Sequence, residues 1–435
     1  MNIKIFSSLI KNNQSILISG HKHSFVQIVS AAIILNQPCK ITNVPDTDDV
    51  VVLKDLIEKL GGRAQFIKHT FSFDPTNMQY RRPDARLCAK IHGSLYFIFA
   101  LAIRFNRFAQ LKTGGCQIGK EKKRPDSHLI TILNSFGTLS PVNDKEFIFM
   151  PSKNKRITQN IVDFSDSLWR LSGEKVSSAT KLCILAALNN KKETVIKNYY
   201  FRTDVMDLLN FIRQCGISVK QSGKKLKIIP TQPCNHQRVT YRLSDCQSEV
   251  ITFITLAIMC NISLTLKVQN IDILCQILKP ELNLFKNMNV NITFSGDKII
   301  IPRNQTIKSA DVKITQKGIQ SDHQPFLALL LTNADGQSSI TENVWKTRFG
   351  YVSELNKLGT NIQMKNNKIT IYPTSVAFCN NPRKVSATDT RAAAVLTIAA
   401  LATKSNITIR NAEHLNRGYD GFLQKLIRLG ANITQ

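Results

Sequence analysis

The chain has 435 residues, 43% hydrophobic and 20% charged, which is enough apolar content to bury a sizeable core and excludes a disordered chain. Its longest apolar stretches, Leu95–Ile103 and Ala392–Ala402, are about half of the ~20 residues that span a bilayer, so no membrane partner is expected. Fifty-eight Lys and Arg against 30 Asp and Glu leave a net charge of +28, spread along the whole length and dense only at Lys120–Arg124 and Lys220–Lys227.

In chain order, one unit recurs: an amphipathic helix, a turn residue, then a short alternating strand. The copies are Leu53–Phe66, Leu129–Val142, Val205–Gln221, Leu282–Phe294, Val352–Met364 and Phe422–Gln435. Each helix carries apolar residues at i, i+3, i+4 and i+7, one buried stripe. Gly62, Gly137, Gly216, Gly359 and Gly430 are expected in the left-handed conformation that closes a helix, with Asn289 filling the role in the fourth copy. A second helix per unit is more apolar and reads as buried nearly all round. The examples are Gly93–Arg104, Ser178–Leu188, Glu249–Met259, Pro325–Leu331 and Arg391–Thr403.

Units of this length predict two α/β lobes of three repeats each, not a solenoid. The expected boundaries are residues 21–243 for one lobe, and residues 1–20 with 244–435 for the other. The strand pattern in Met1–Gly20 has no helix before it and is expected to complete the sheet of the last unit. A two-lobed chain offers a cleft for substrate.

The charge has two readings. Clustered Lys and Arg can neutralise nucleic-acid phosphates. Against that, the chain is loaded with Lys, Ile and Asn, as an AT-rich genome would encode, and no aromatic run accompanies the basic stretches. Nucleic acid is therefore not an expected partner, while small anionic substrates suit a focused positive field. Ten cysteines contain no CxxC pair, and no secretory signal is expected, since Met1–Lys11 carries two lysines and no long apolar core. A reducing, cytoplasmic setting is expected, with most thiols buried. His21 and His23 form an HxH pair without further ligands nearby, so no metal is expected.

The chemistry-bearing residues lie at turns and helix starts. In KTGGCQIGKEKKRPDSH, Lys112–His128, glycines surround Cys116, and Lys120, Lys122, Lys123 and Arg124 follow; cations lower a thiol pKa. In ISGHKH, Lys22 sits in the turn before a helix, where free N–H groups favour an anion, or where a lysine is merely solvated. Asp322 precedes a buried helix, Arg348 follows a strand, Asp389 and Arg391 open another helix, and Arg417 stands between Asn416 and Gly418. Singly, these are N-caps and surface cations. Together, the spacing of 26 residues in both Asp322–Arg348 and Arg391–Arg417 places them at equivalent rims of successive repeats.

With these motifs in combination (SG.K, GGCQIG, SDHQ, ITENVW..RF, TD.RA and RGYDGF..KL..LGA) the chain resembles the UDP-N-acetylglucosamine 1-carboxyvinyltransferases, enolpyruvyl transferases that open peptidoglycan synthesis. The likeness runs from Ile18 to the C-terminus. It implies two inside-out α/β barrels of three βαβαββ units each, with a cleft between them. It implies transfer of the enolpyruvyl group of phosphoenolpyruvate to the 3-hydroxyl of UDP-N-acetylglucosamine, with release of phosphate and no cofactor. Residue by residue, it implies that Cys116 is the acid toward the methylene carbon and the target of fosfomycin. Asp322 takes the sugar hydroxyl proton, and Asp389 lies beside the reacting carbon. Lys22 and Arg417 meet the phosphate. Arg348 and Arg391 surround the carboxylate and the intermediate. Lys175, Ser177 and Asp204 fall in the nucleotide-side segments.

The chain departs from that family's pattern. His23 stands where the family has Asn, His92 where it has an active-site Arg, and Cys246 where it has a uridine-side Arg. Lys120, Lys123 and Arg124 remain open as substitutes for the Arg after the cysteine. Two other readings stand beside the transferase: the sister enolpyruvyl transferase acting on shikimate 3-phosphate, which lacks the GGC loop and RGYDGF, and a basic binding protein that has lost catalysis.

Overall fold

The computed structural model describes residues 1–107, 109–112, 137–143, 146–151, 161–165, 176–190, 192–229, 237–374, 383–403 and 405–435. The chain divides into two compact units. One joins Met1–Ser19 to Asp245–Gln435, and the other is drawn from within Gly20–Ser244. Each has its own apolar core.

In the unit formed by the N-terminus and Asp245–Gln435, three helices are buried along nearly their whole length: Gln247–Met259, Gln324–Leu331 and Thr390–Thr403. They pack on one another. Their sequences explain this, because QPFLALLL and AAAVLTIAALA have no polar face to turn to water. Fully burying one Leu or Phe contributes about 1.5–3 kcal/mol, so these helices dominate the unit's stability. In the other unit the same role falls to Lys22–Leu35, Ser94–Phe105 and Val176–Ala187. The helices thus form the inside and the sheets the outside of each unit.

Among the described residues, five four-stranded sheets share one pattern: a parallel pair, then two antiparallel neighbours. In one, Val239–Arg242 runs parallel to Cys39–Thr42, which pairs antiparallel with Thr70–Asp74 and that strand with Arg63–Ile67. The predicted helix–turn–strand copy is the outer half of this design. Helix Asp48–Lys59 leads into the Arg63–Ile67/Thr70–Asp74 hairpin, and Val352–Lys357 into Asn361–Lys365/Lys368–Tyr372. In the last copy the hairpin partner comes from the start of the chain. Ile3–Phe6 pairs with Asn432–Thr434 on one side and Ile407–Arg410 on the other. The second N-terminal strand, Gln14–Leu17, goes elsewhere and runs parallel to Leu264–Lys267. A sixth sheet has three described strands, Ala109–Lys112, Gly137–Asn143 and Glu146–Pro151.

The turn residues behave as their chemistry requires, with two corrections. Gly216, Gly359, Gly430 and Asn289 have φ of 87°, 102°, 100° and 59°. In the first copy the left-handed residue is Gly61, φ 84°, not Gly62. Gly62 is kept small by packing, since a Cβ there would stand 2.7 Å from Ile57 Cγ2. Gly137 is not left-handed either. It starts a strand, and a Cβ would lie 2.2 Å from the Met150 carbonyl oxygen across the ladder.

Gly20 is the tightest position. A Cβ there would sit 1.8 Å from the carbonyl oxygen of Asn43 and 3.1 Å from Leu243 Cβ. Backbone cannot yield cheaply, so Gly20→Ala is expected to lose at least the ~1–3 kcal/mol typical of overpacking, read from the urea midpoint. Wild-type stability would show that the strand end can shift at no cost. No helix among the described residues is long and apolar enough to cross a membrane.

Candidate active site

The short segment Gly318–His323 enters the buried helix Gln324–Leu331. Asp322 is its last residue but one, half-buried and just before the N-cap residue His323. Its carboxylate is gripped from two sides. Arg348 Nη1 donates to Oδ1 at 2.5 Å, and Arg391 Nη2 donates to Oδ2 at 3.0 Å. Both arginines are buried. The predicted residues Asp322, Arg348 and Arg391 therefore meet, although 69 positions separate the outer two.

Each arginine is held by a distinct device. Arg348 lies in the loop after strand Ser338–Glu342, and the buried Glu342 carboxylate anchors that loop. Oε1 accepts from the N–H groups of Val344 and Trp345 at 2.8 and 3.0 Å, while Oε2 accepts from the Ser321 hydroxyl at 2.7 Å. Burial pushes the Glu342 carboxyl above its ordinary range despite these donors. Arg391 opens helix Thr390–Thr403, and Asp389 caps that helix. Its Oδ1 accepts from the N–H groups of Arg391 and Ala392 at 2.8 and 2.9 Å. Asp389 is thus an N-cap as well as a neighbour of the cluster, since its charge acts on Arg348. The Arg391 guanidinium lies over the Tyr419 ring, 5.2 Å from its centroid, and the Tyr419 hydroxyl meets Thr252 Oγ1 at 2.9 Å.

Burial works against both guanidinium charges. The Asp322 and Asp389 carboxylates overcome it for Arg348, and Tyr419, Asp322 and Cys246 overcome it for Arg391, so both stay charged with pKa raised. Arg348 Nε and Arg391 Nη1 are buried with no hydrogen-bond partner among the described residues. Buried donors of this kind are costly unless something accepts from them, and an anion's oxygens would. Cys246 opens helix Gln247–Met259 within electrostatic reach of Arg391, its thiol pushed up to about 11 chiefly by burial. Arg417 is half-buried at the end of the 3-10 helix Ala412–Arg417, two residues before Tyr419.

The other unit holds further predicted residues. Lys22 begins helix Lys22–Leu35 and pairs with Asp49 at 2.9 Å. His23 follows it, its ring 5.4 Å from that of His21 in an edge-to-face arrangement. His92 is half-buried two residues before helix Ser94–Phe105, and its carbonyl accepts from Leu95 N. Ser177 lies in the first turn of Val176–Ala187, its side chain outside the described residues. Asp204 is buried near the start of helix Thr203–Gln214 and takes Lys181 Nζ at 2.5 Å. Burial raises its pKa, but Lys181 and the other nearby cations outweigh that and lower it overall. Asp204 is thereby a structural partner for a buried lysine, whatever it offers a ligand. Removing it leaves that charge alone, so Asp204→Ala is expected to cost about 3–5 kcal/mol, measured by denaturant unfolding. A loss below about 1 kcal/mol would mean that water reaches Lys181.

Cys116, Lys120, Arg124 and Lys175 lie outside the described residues. Among the described residues no group of His, Cys, Asp and Glu is arranged to hold a metal.

Sequence reasoning missed several members of these clusters. Glu342 stands within the ITENVW motif yet gave no signal by itself, and neither did Tyr419 in RGYDGF. A second buried network also went unread. Glu249 accepts from Ser19 N at 2.8 Å and from Lys425 Nζ at 2.5 Å, and Lys425 also donates to Ser19 Oγ at 2.7 Å. Ser19 Oγ donates to Asp420 at 3.0 Å, which ties the RGYDGF segment to the strand end at Ser19.

Comparison with known proteins matches this architecture along the whole chain. The EPSP synthase (3-phosphoshikimate 1-carboxyvinyltransferase) family matches residues 11–426. A UDP-N-acetylglucosamine 1-carboxyvinyltransferase from Wolbachia pipientis subsp. Culex pipiens is 31% identical over 96% of this chain and 95% of its own. One from Halothermothrix orenii is 28% identical over 97% of this chain and 96% of its own. Among solved structures, the enolpyruvyl transferase NikO from Streptomyces tendae superposes with a TM-score of 0.89 at 29% identity, covering 100% of this chain and 98% of that one. EPSP synthase from Acinetobacter baumannii shares the fold, with a TM-score of 0.71 at 16% identity and full coverage of both chains. Those structures have the two-domain inside-out barrel fold, and the buried helices and outer sheets of each unit here are built the same way. The chain is a member of the enolpyruvyl (carboxyvinyl) transferase family.

Proposed function

We propose that this enolpyruvyl transferase uses UDP-N-acetylglucosamine as acceptor and so catalyses the first committed step of peptidoglycan synthesis. The observation that carries the reading is the Asp322 carboxylate held between two buried arginines that keep uncommitted N–H groups. The relatives named for that reaction, aligned over nearly the full chain, support the acceptor.

In this reading Asp322 removes the proton of the sugar 3-hydroxyl as its oxygen bonds to C2 of phosphoenolpyruvate. Cys116 delivers a proton to the methylene carbon. The resulting tetrahedral intermediate loses phosphate from C2 and a proton from the new methyl group, restoring the enol ether. A proton donor at carbon and a base at oxygen are what such an addition needs. Arg348 and Arg391 offer their free N–H groups to the carboxylate, and Lys22 and Arg417 face the phosphate. Asp389 stands beside the reacting carbon. His23, His92, Lys120, Arg124, Lys175 and Ser177 fall to substrate binding, with Asp204 on the nucleotide side.

Phosphate release tests the reading: it should require both phosphoenolpyruvate and UDP-N-acetylglucosamine. Release from phosphoenolpyruvate alone, or none with both, would contradict it.

Five of the other thiols are poor candidates for the reactive one. Burial is the leading cause that raises Cys39, Cys183 and Cys246, takes Cys88 to about 12, and raises Cys275, so none of these five is a ready thiolate. With fosfomycin and nucleotide sugar, the adduct is expected on Cys116 by peptide mass mapping. An adduct on any other cysteine would remove Cys116 from the mechanism.

A further inference from the structure

We infer that the buried pair Glu281–His323 is a positioning device for Asp322: the pair orients the base without touching substrate. The inference rests on the reading of Asp322 as the general base.

Asp322 is 35% exposed at its side chain, as a group that must reach substrate should be. Its neighbours in sequence are the opposite. Ser321 and His323 are buried, His323 completely. The Ser321 hydroxyl is committed to Glu342. His323 Nδ1 lies 2.8 Å from Glu281 Oε1, and the same oxygen accepts the Gln320 N–H at 2.9 Å. His323 Nε2 lies 3.2 Å from Ser248 Oγ. The four-residue stretch Gln320–His323 is therefore pinned by three elements: helix Lys279–Asn287, strand Ser338–Glu342 and helix Gln247–Met259.

The roles of the ring nitrogens follow from the inventory of donors. Glu281 Oε1 already accepts from a backbone N–H, so the facing Nδ1 carries the proton. Nε2 faces the Ser248 hydroxyl, the ring's second polar contact. The whole arrangement is directional.

Stability alone does not account for the pair. Glu281 and His323 are both completely buried at the side chain. Replacing both members of a buried hydrogen-bonded pair by well-packed apolar residues of the same volume is often nearly neutral or stabilising. What apolar packing cannot supply is a fixed direction for the backbone on either side of Asp322. Proton abstraction requires heavy atoms within about 2.6–3.2 Å, and a misplacement of about 1 Å can cost on the order of 10²-fold in rate. Glu281 and Glu342 grip the stretch on the two sides of Asp322, while Arg348 and Arg391 grip the carboxylate itself.

Two amides of similar size separate positioning from packing. In His323→Asn the side-chain N–H stands where Nδ1 stands and keeps the bond to Glu281. In His323→Gln the amide reaches toward Ser248 and gives that bond up. Steady-state kinetics with phosphoenolpyruvate and UDP-N-acetylglucosamine, alongside thermal unfolding, are the readouts. His323→Asn is expected to keep kcat within about 3-fold of the parent. His323→Gln and His323→Leu are expected to lose roughly 10- to 100-fold in kcat, with both Michaelis constants little changed. Should His323→Leu fail to fold, the Asn and Gln pair still decides. Equal kcat for Asn and Gln, or kcat that follows Tm alone, overturns the inference.

Parent and Asp322→Asn are run in the same assay. A parent that releases no phosphate with the nucleotide sugar sinks the proposed function and this inference with it. An active parent, an inactive Asp322→Asn and unimpaired Gln and Leu variants sink the positioning role alone.

Discussion

Asp322→Asn should fold normally and turn over at least ~100-fold more slowly than the parent, the cost of losing a positioned acid–base group. The amide keeps an oxygen that can accept from one arginine, so the Arg348–Arg391 cluster survives. What disappears is the ability to take a proton, together with one negative charge among the cations. The signature is therefore specific: kcat falls while the Michaelis constant for phosphoenolpyruvate stays the same or falls, because a competing carboxylate has gone. Near-parent kcat in a folded variant would take Asp322 out of the mechanism. A raised Michaelis constant with unchanged kcat would make it a binding residue only.

Arg391→Lys is expected to show the second large effect. The guanidinium at this position does three things at once. It donates to Asp322 at 3.0 Å, lies over the Tyr419 ring, and keeps Nη1 uncommitted in a buried site. Lys has one compact ammonium that cannot stack flat on the ring or offer a fork of N–H groups. A loss of about 10²-fold in kcat/KM corresponds to about 2.7 kcal/mol of transition-state stabilisation. The check is kcat/KM for phosphoenolpyruvate, with far-UV circular dichroism to confirm folding. A change below about 3-fold would show that any cation serves at this place.

The repeat and its buried helices were legible because they depend on local pattern. Stretches such as QPFLALLL and AAAVLTIAALA have no polar face, and a left-handed turn position accepts Gly or Asn. The mistakes came where two glycines adjoined, at Gly61–Gly62, and where a glycine was needed for a close cross-strand approach, at Gly137. Position and conformation there are set by neighbours distant in the chain.

The candidate site divides in the same way. Asp322, Arg348 and Arg391 were visible through the motifs of the resemblance and the even spacing of repeats. The devices that hold them were not. Glu281 reaches His323 across 42 positions, and Glu342 reaches Ser321 across 21. A buried glutamate on an ordinary helix carries no mark in the sequence of the partner it will meet. Asp204 shows the converse. Its motif pointed to a ligand, and the structure adds a buried partner, Lys181, that local sequence could not supply.

The choice of acceptor is the central claim, because the family match is to a 3-phosphoshikimate carboxyvinyltransferase while the aligned relatives are named for the nucleotide sugar. The most direct measurement offers each acceptor separately to the full chain with phosphoenolpyruvate, and follows phosphate release together with the mass of the product. The account predicts release and an enolpyruvyl adduct with UDP-N-acetylglucosamine, and neither with shikimate 3-phosphate. Turnover with shikimate 3-phosphate and none with the nucleotide sugar would contradict it.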